Sequence, residues 1–157
     1  MPRSAIDQQL DEKTQHTLGA QDVAQMAHDL FHAMLGMQIN PEPTESFSAP
    51  DATIQASIGI AGDWDAECYI QVCDELAQRI AGAMFDAAPE NLSDEEIFDA
   101  MGETVNVIGG NAKGMIDQDC SLSLPSMGRS INEYVEGSLS LAFDCEGFPL
   151  TIMVIER

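Results

Sequence analysis

Apolar positions repeat along the chain with two periods, and each period predicts a kind of element. Val23, Met26, Ala27, Leu30, Phe31 and Met34 recur at helical spacing, with Gly36 as a stop signal. Pro41, Pro43 and Pro50 make Met37–Pro50 read as a connecting loop. Residues 53–60 then alternate apolar with polar or small side chains, Ala61-Gly62-Asp63 forms a turn, and Ala66–Val72 resumes in extended style, which predicts a hairpin. Residues 74–85 return to helical spacing, with Leu76, Ile80, Ala81 and Met84 on one face. Pro89 and Asn91 break the chain. Ser93-Asp94-Glu95-Glu96 is a capping box that opens a long helix running to about Ile116. Beyond Asp117 the pattern turns strand-like. Leu122–Met127 carries Pro125 and predicts an edge or a bulge, residues 133–143 alternate in their second half, Gly147 marks a turn, and Leu150–Ile155 makes a last strand. This order is an α+β plan, an antiparallel sheet packed against long helices. Residues 1–20 are polar and aperiodic and read as a flexible tail, leaving 21–157 as a single domain.

Composition narrows the function. Six Lys and Arg face 27 Asp and Glu, for a net charge of −21. Such a surface repels phosphate backbones and anionic lipid, so neither nucleic acid nor membrane is an expected partner. The plain reading of the acidity is solubility, and the functional one is attraction to a basic partner surface. No apolar run reaches the roughly 18 residues of a membrane span, and the N-terminus lacks an apolar signal core, so a cytoplasmic location is expected. Cys68, Cys73, Cys120 and Cys145 form neither a C-x-x-C pair nor a zinc pattern and are expected to be reduced. If Cys68 and Cys73 share a strand, their odd spacing puts them on opposite faces.

The long helix is the informative element. Ile97, Met101, Val105, Ile108, Ala112 and Met115 make its core stripe. Asp99, Glu103, Asn106, Gly110 and Lys113 step by four, three, four, three along a second line that faces nearly the opposite way. A solvated helix face accounts for Asp99 and Lys113. It does not account for Gly109-Gly110, since each interior glycine costs about 1 kcal/mol against alanine. One glycine turned inward permits close packing on the sheet, and one turned outward permits another backbone to approach.

Glu103 and Asn106 have no nucleophile of their own beside them. His16, His28 and His32 lie in or near the first helix. His28 and His32 are spaced to share a metal, but no acidic or thiol pattern completes that site, so no metal is expected. An isolated Glu–Asn pair is able to complete a site on another molecule. A carboxamide orients a water through its carbonyl oxygen, and a carboxylate one turn away pairs with a basic residue.

At these residues the sequence resembles the CheX/CheC family of chemotaxis phosphatases, whose motif is Glu-x-x-Asn on an exposed helix followed by glycine and often Gly-Asn-Ala. Here Glu103-Thr104-Val105-Asn106 leads to Gly109-Gly110-Asn111-Ala112. Ile58–Trp64 is similar to the family's hairpin and Glu75–Phe85 to its following helix, so the likeness covers about residues 20–156. A single Glu-x-x-Asn makes the chain closest to CheX, whose members pair through their sheets. Ala66 departs from the pattern, because a glycine is expected there. The resemblance implies a two-layer CheX/CheC-like fold, a homodimer, and phosphatase action on the aspartyl phosphate of a CheY-type response regulator. Asn106 is implied to orient the attacking water and Glu103 to contact the partner's lysine, with Asp99, Gly110 and Lys113 at the partner-binding rim. It implies no cofactor in this chain and Mg²⁺ in the partner receiver domain. The alternative is a non-catalytic signalling or flagellar interaction module using the same helix face, and the third reading is a metal or small-ligand sensor built on His28 and His32.

Overall fold

The computed structural model describes residues 18–42, 52–131 and 135–157, so most of the tail read over 1–20, His16 among it, lies outside the described residues. The first helix, α1, spans Ala20–His28 and continues as a π-helical stretch, Asp29–Met34. It starts three residues before the apolar periodicity does, because the Asp22 carboxylate accepts the Gly19 N–H at 2.9 Å and closes the first turn. Val23, Met26, Ala27, Leu30 and Phe31 are buried as the spacing predicts, but Met34 is 61% exposed. Leu35 N–H donates to the Leu30 carbonyl in an i→i+5 bond. That wider turn carries Met34 off the apolar line. Gly36 ends the helix at a φ of 66°.

Among the described residues, seven strands follow the first helix in one sheet. They are β1 (Ile39–Glu42), β2 (Ile54–Gly62), β3 (Ala66–Val72), β4 (Cys120–Leu122), β5 (Ser126–Gly128), β6 (Leu139–Cys145) and β7 (Phe148–Glu156). Helices α2 (Asp74–Phe85) and α3 (Asp94–Ile116) lie between β3 and β4, separated by a 3₁₀ turn at Pro89–Asn91. The sheet order is β1-β6-β7-β3-β2-β4, with β5 also on β2, and every pairing is antiparallel.

The strand β1 falls inside the segment read as a loop. Proline marks a break along a sequence, but at a sheet edge its missing N–H points away from the ladder. Pro41 sits opposite Phe143 in just such an edge strand. The hairpin of β2 and β3 runs in register from Ile54↔Val72 to Ile60↔Ala66. Its turn needs glycine at 62 and not at 66. Gly62 has a φ of 142°, and a Cβ there would lie 2.4 Å from the Asp119 carbonyl oxygen, whereas Ala66 is an ordinary buried strand residue. Cys73 lies just past the end of β3 and precedes α2, so it does not share the strand with Cys68. All four cysteines are free, and burial pushes the Cys68 and Cys145 thiols up to about 12.

Ile54, Ala56, Ile58 and Ile60 of β2 turn one face to the core, continued by Cys68 and Ile70 on β3 and Ile152 and Val154 on β7. Against it lie Met26, Leu30 and Phe31 of α1 and Met101, Val105 and Ile108 of α3, all fully buried. Each such large side chain contributes roughly 1.5–3 kcal/mol on leaving water. On the opposite sheet face Tyr69, Gln71, Thr151 and Met153 are buried as well.

The proline-bearing segment is an edge with a bulge. Ile60 pairs with Leu122 and Ser57 with Ser126, so three residues, Ser123 to Pro125, stand opposite two. The bulge is tied down by Ser123. Its N–H donates to the Gly59 carbonyl at 2.9 Å, and its hydroxyl accepts the Gly59 N–H at 2.8 Å in place of the carbonyl that the bulge displaces. The end of β5 is fastened to α2, where the Asp74 carboxylate accepts Arg129 Nη1 at 2.7 Å and the Thr53 hydroxyl at 2.9 Å. The Arg129 cation also lies 5.7 Å from the Phe98 ring centre.

The hydrogen bond from Arg129 holds the Asp74 carboxyl below its ordinary value. A lowered folded-state pKa stabilises the fold above the unfolded value of about 3.9 and loses that contribution as pH falls through the folded value. Both side chains are half-exposed, so the effect is small. Asp74→Asn is expected to lower the urea midpoint at pH 7 and to approach wild type at pH 3. Equal destabilisation at both pH values would overturn the charged pairing.

Candidate functional site

The site is built on α3, and α3 is held at both ends by its own sequence. Ser93 Oγ accepts the Glu96 N–H at 3.2 Å, and Glu96 Oε1 accepts the Ser93 N–H at 3.0 Å. The Ser93 N–H, joined by the Ser93 hydroxyl donating to the same Oε1 at 3.0 Å, holds the Glu96 carboxyl below its ordinary value. Asp94, Glu95 and Glu96 place negative charge on the first turn and Lys113 places positive charge on the last, both favourable to the helix dipole. Asp117 closes the helix in the left-handed conformation, with a φ of 56°.

The two stripes are where the spacing puts them, with one exception. Ile97, Met101, Val105, Ile108 and Ala112 are buried, but Met115 is 39% exposed. Seven residues return almost to the same direction, so Met115 still points close to the line of Ile108. Its exposure reflects what covers that end of the helix, not the periodicity. Ile116 takes the core position there. On the other line Asp99, Glu103 and Gly110 are exposed, while Asn106 and Lys113 are partly buried. Glu103 and Asn106 are neighbours three residues apart, with Cβ atoms about 5–6 Å apart on a helix. Among the described residues no hydrogen bond or ion pair engages either side chain, so the carboxylate and the carboxamide are both available to another molecule.

The glycines separate by direction. A Cβ on Gly109 would lie 2.8 Å from Ile58 Cγ2 and 3.4 Å from Leu122 Cδ2, so this glycine lets α3 settle onto β2 and β4. A Cβ on Gly110 would meet nothing within 4 Å. Gly102 is a third such position, which the sequence shows only as a neighbour of Glu103. Its Cβ would lie 2.9 Å from Met127 Sδ and 3.5 Å from Pro125 Cγ. The signal that finds it is its spacing, seven residues before Gly109 and therefore on the same face. Thr104, between Glu103 and Asn106, is buried and donates to the Ala100 carbonyl at 2.7 Å.

His28 and His32 are not part of this site. They lie on α1 with ring centres 5.0 Å apart. Among the described residues no group of three His, Cys, Asp or Glu is placed to hold a metal. No helix among them is long and apolar enough to cross a membrane.

The family model for the chemotaxis phosphatase CheX matches residues 54–146. Among the solved structures that share the fold are three of this kind. The chemotaxis protein CheX from Vibrio vulnificus is 19% identical at a TM-score of 0.71, over 87% of this chain and 97% of that one. A CheX from Desulfovibrio desulfuricans is 18% identical at 0.70, over 88% and 98%. The CheX–CheY–BeF₃–Mg²⁺ complex from Borrelia burgdorferi is 17% identical at 0.66, over 87% and 96%. No curated protein matches the chain.

The directions of the two adjacent glycines give opposite expectations. Gly109→Ala forces apart a buried β-branched contact and is expected to destabilise by about 1–3 kcal/mol. Gly110→Ala meets no obstacle and is expected to stabilise by about 0.4–1 kcal/mol. Chemical denaturation of the two variants checks this, and shifts of the same sign would overturn the assignment of faces.

Proposed function

The chain belongs to the chemotaxis phosphatase CheX family, and we propose that it hydrolyses the aspartyl phosphate of a CheY-type response regulator, with Asn106 orienting the water and Glu103 contacting the partner. The observation that carries this reading is the placement of Glu103 and Asn106 on the open face of a capped helix, one turn before a glycine with empty space outside it. The Borrelia burgdorferi complex supports a CheY-type partner for a chain of this fold.

The chemistry requires little from this chain. Hydrolysis of an acyl phosphate joins a water oxygen to phosphorus, breaks the bond from phosphorus to the aspartyl oxygen, and leaves a carboxylate and inorganic phosphate. Transfer of this kind depends on in-line positioning and charge stabilisation. In the docked complex the Asn106 carboxamide oxygen accepts a hydrogen bond from the water and sets its line of approach. The Glu103 carboxylate pairs with a lysine of the receiver and fixes the register of the helix in the partner's site. Neither residue forms a covalent bond. The phosphoryl group and the Mg²⁺ that neutralises it come with the receiver, so this chain needs no cofactor of its own. Asp99 and Lys113 sit at the rim of the contact, and Gly110 clears room for the partner's backbone. A cytoplasmic homodimer belongs to the same proposal.

The test is phosphate release from acetyl-phosphate-labelled CheY-type receiver domains. Removing one positioning group of this kind typically costs about 10²–10³ in rate, and Asn106→Ala is expected to lose that much. A loss under threefold would overturn its role. Acceleration absent with every receiver would favour a non-catalytic interaction module on the same helix face. The net charge of −21 is expected to speed association with a lysine-bearing surface, so kcat/KM should fall as salt rises, and a flat salt response would exclude steering.

A further inference from the structure

Specific protein interfaces close on an apolar centre inside a polar rim. The exposed line of α3 has no such centre, because Asp99, Glu103, Asn106, Gly110 and Lys113 include no large apolar side chain. The bulge between β4 and β5 supplies one. Leu124 is 90% exposed, more than any other large apolar side chain among the described residues.

Its position follows from the packing of the edge on α3. Leu122 meets the helix at Gly109, and Pro125 and Met127 meet it at Gly102. The edge therefore runs back along seven residues of helix, about 10 Å at 1.5 Å per residue. Leu124, one residue from Pro125, falls level with the interval between Glu103 and Asn106. Its exposure is not that of a loose loop. The Ser123 hydroxyl donates to the Leu124 carbonyl at 3.1 Å and accepts from Gly59, and the following proline restricts Leu124 to extended backbone.

We propose that Leu124 is the apolar anchor of the docking surface, seated on the receiver domain whose acceptor pocket takes Glu103 and Asn106. This rests on the phosphatase reading above and adds to it the contact that supplies affinity. Charge selects the occupant. An isologous pairing of two copies on this face would bring the Asp99 and Glu103 carboxylates of both chains together, in a molecule with a net charge of −21. A receiver surface presenting a lysine beside an apolar patch meets carboxylate and leucine in turn. Strand addition is disfavoured as well, because a bulge with a proline breaks the regular edge that another strand would need.

The test uses the full chain carrying Leu124→Ser, Leu124→Met or Asn106→Ala, titrated against a CheY-type receiver loaded with Mg²⁺ and beryllium trifluoride as phosphoryl mimic. Turnover with acetyl phosphate and sedimentation mass are read in parallel. Leu124 buries almost nothing in the free protein, so neither substitution threatens folding. Leu124→Ser is expected to weaken binding and raise KM about tenfold, as loss of an interface anchor does, with kcat within twofold, while Leu124→Met retains binding. Asn106→Ala is expected to lower kcat with binding kept. Binding by Leu124→Ser within twofold of wild type, alongside an Asn106→Ala variant that has lost turnover, would overturn the anchor and leave the phosphatase. Leu124-dependent binding without phosphate release would overturn the phosphatase and leave the anchor. A changed sedimentation mass with receiver binding intact would assign Leu124 to self-association and overturn the proposal, and no receiver binding by wild type would overturn both readings.

Discussion

Gly102 and Gly109 set the distance between α3 and the sheet edge formed by β2, β4 and β5. At both positions the space that a Cβ would occupy is already taken, by Met127 and Pro125 at one and by Ile58 and Leu122 at the other. Each glycine weakens the helix by about 1 kcal/mol relative to alanine, yet together they let 23 residues of helix lie flat on the strands. The burial of Met101, Val105 and Ile108 depends on that approach. So does the placement of the exposed line, because Asn106 lies four residues after Gly102 and three before Gly109, on the flank next to the seated one. Glu103 and Asn106 are thus held beside the sheet edge that the glycines admit.

The same edge manages two demands. Its residues facing the helix, Leu122, Pro125 and Met127, close the core beneath α3. The extra residue of the bulge breaks the regular ladder and leaves Leu124 in water. Ser123 makes this tolerable, since its hydroxyl satisfies the Gly59 N–H that the bulge leaves without a carbonyl. Arg129 then ties the end of β5 to Asp74 at the start of α2. The segment flanking the site is thus fastened at both ends by side chains, in a protein with few cations to spare for such ties.

Much of this architecture is legible along the chain because it is locally encoded. Alternation in β2 and β3 and the turn between them specify the hairpin, and the 3.6-residue period of Leu76, Ile80 and Ala81 specifies α2 with its observed bounds. The capping box at Ser93 marks the start of α3 by a bond that spans three residues. Elements that depend on distant partners are not legible in this way. The strand β1 is recognisable only once β6 lies beside it, since Pro41 alone argues for a break. Met34 and Met115 keep the apolar spacing and are exposed, the first because a π-turn shifts the register and the second because Ile116 takes the core position at that end of α3. Ala66 shows the converse, where the glycine that the turn needs is supplied four residues earlier by the approach of Asp119 to Gly62.

For the candidate site the division is similar. Spacing by itself determined that Asp99, Glu103, Asn106, Gly110 and Lys113 share a line and that this line opposes the core, because the helical period is a property of the backbone and does not depend on what packs against it. Spacing also raised the question of the two adjacent glycines. Only the tertiary structure decided that Gly109 serves the sheet and Gly110 the open side, that Gly102 belongs with Gly109, and that Leu124 stands in water on the edge packed against them. Those assignments rest on contacts between residues far apart in the chain, such as Gly109 with Ile58 or Ser123 with Gly59, and no local pattern records a distance that only folding creates.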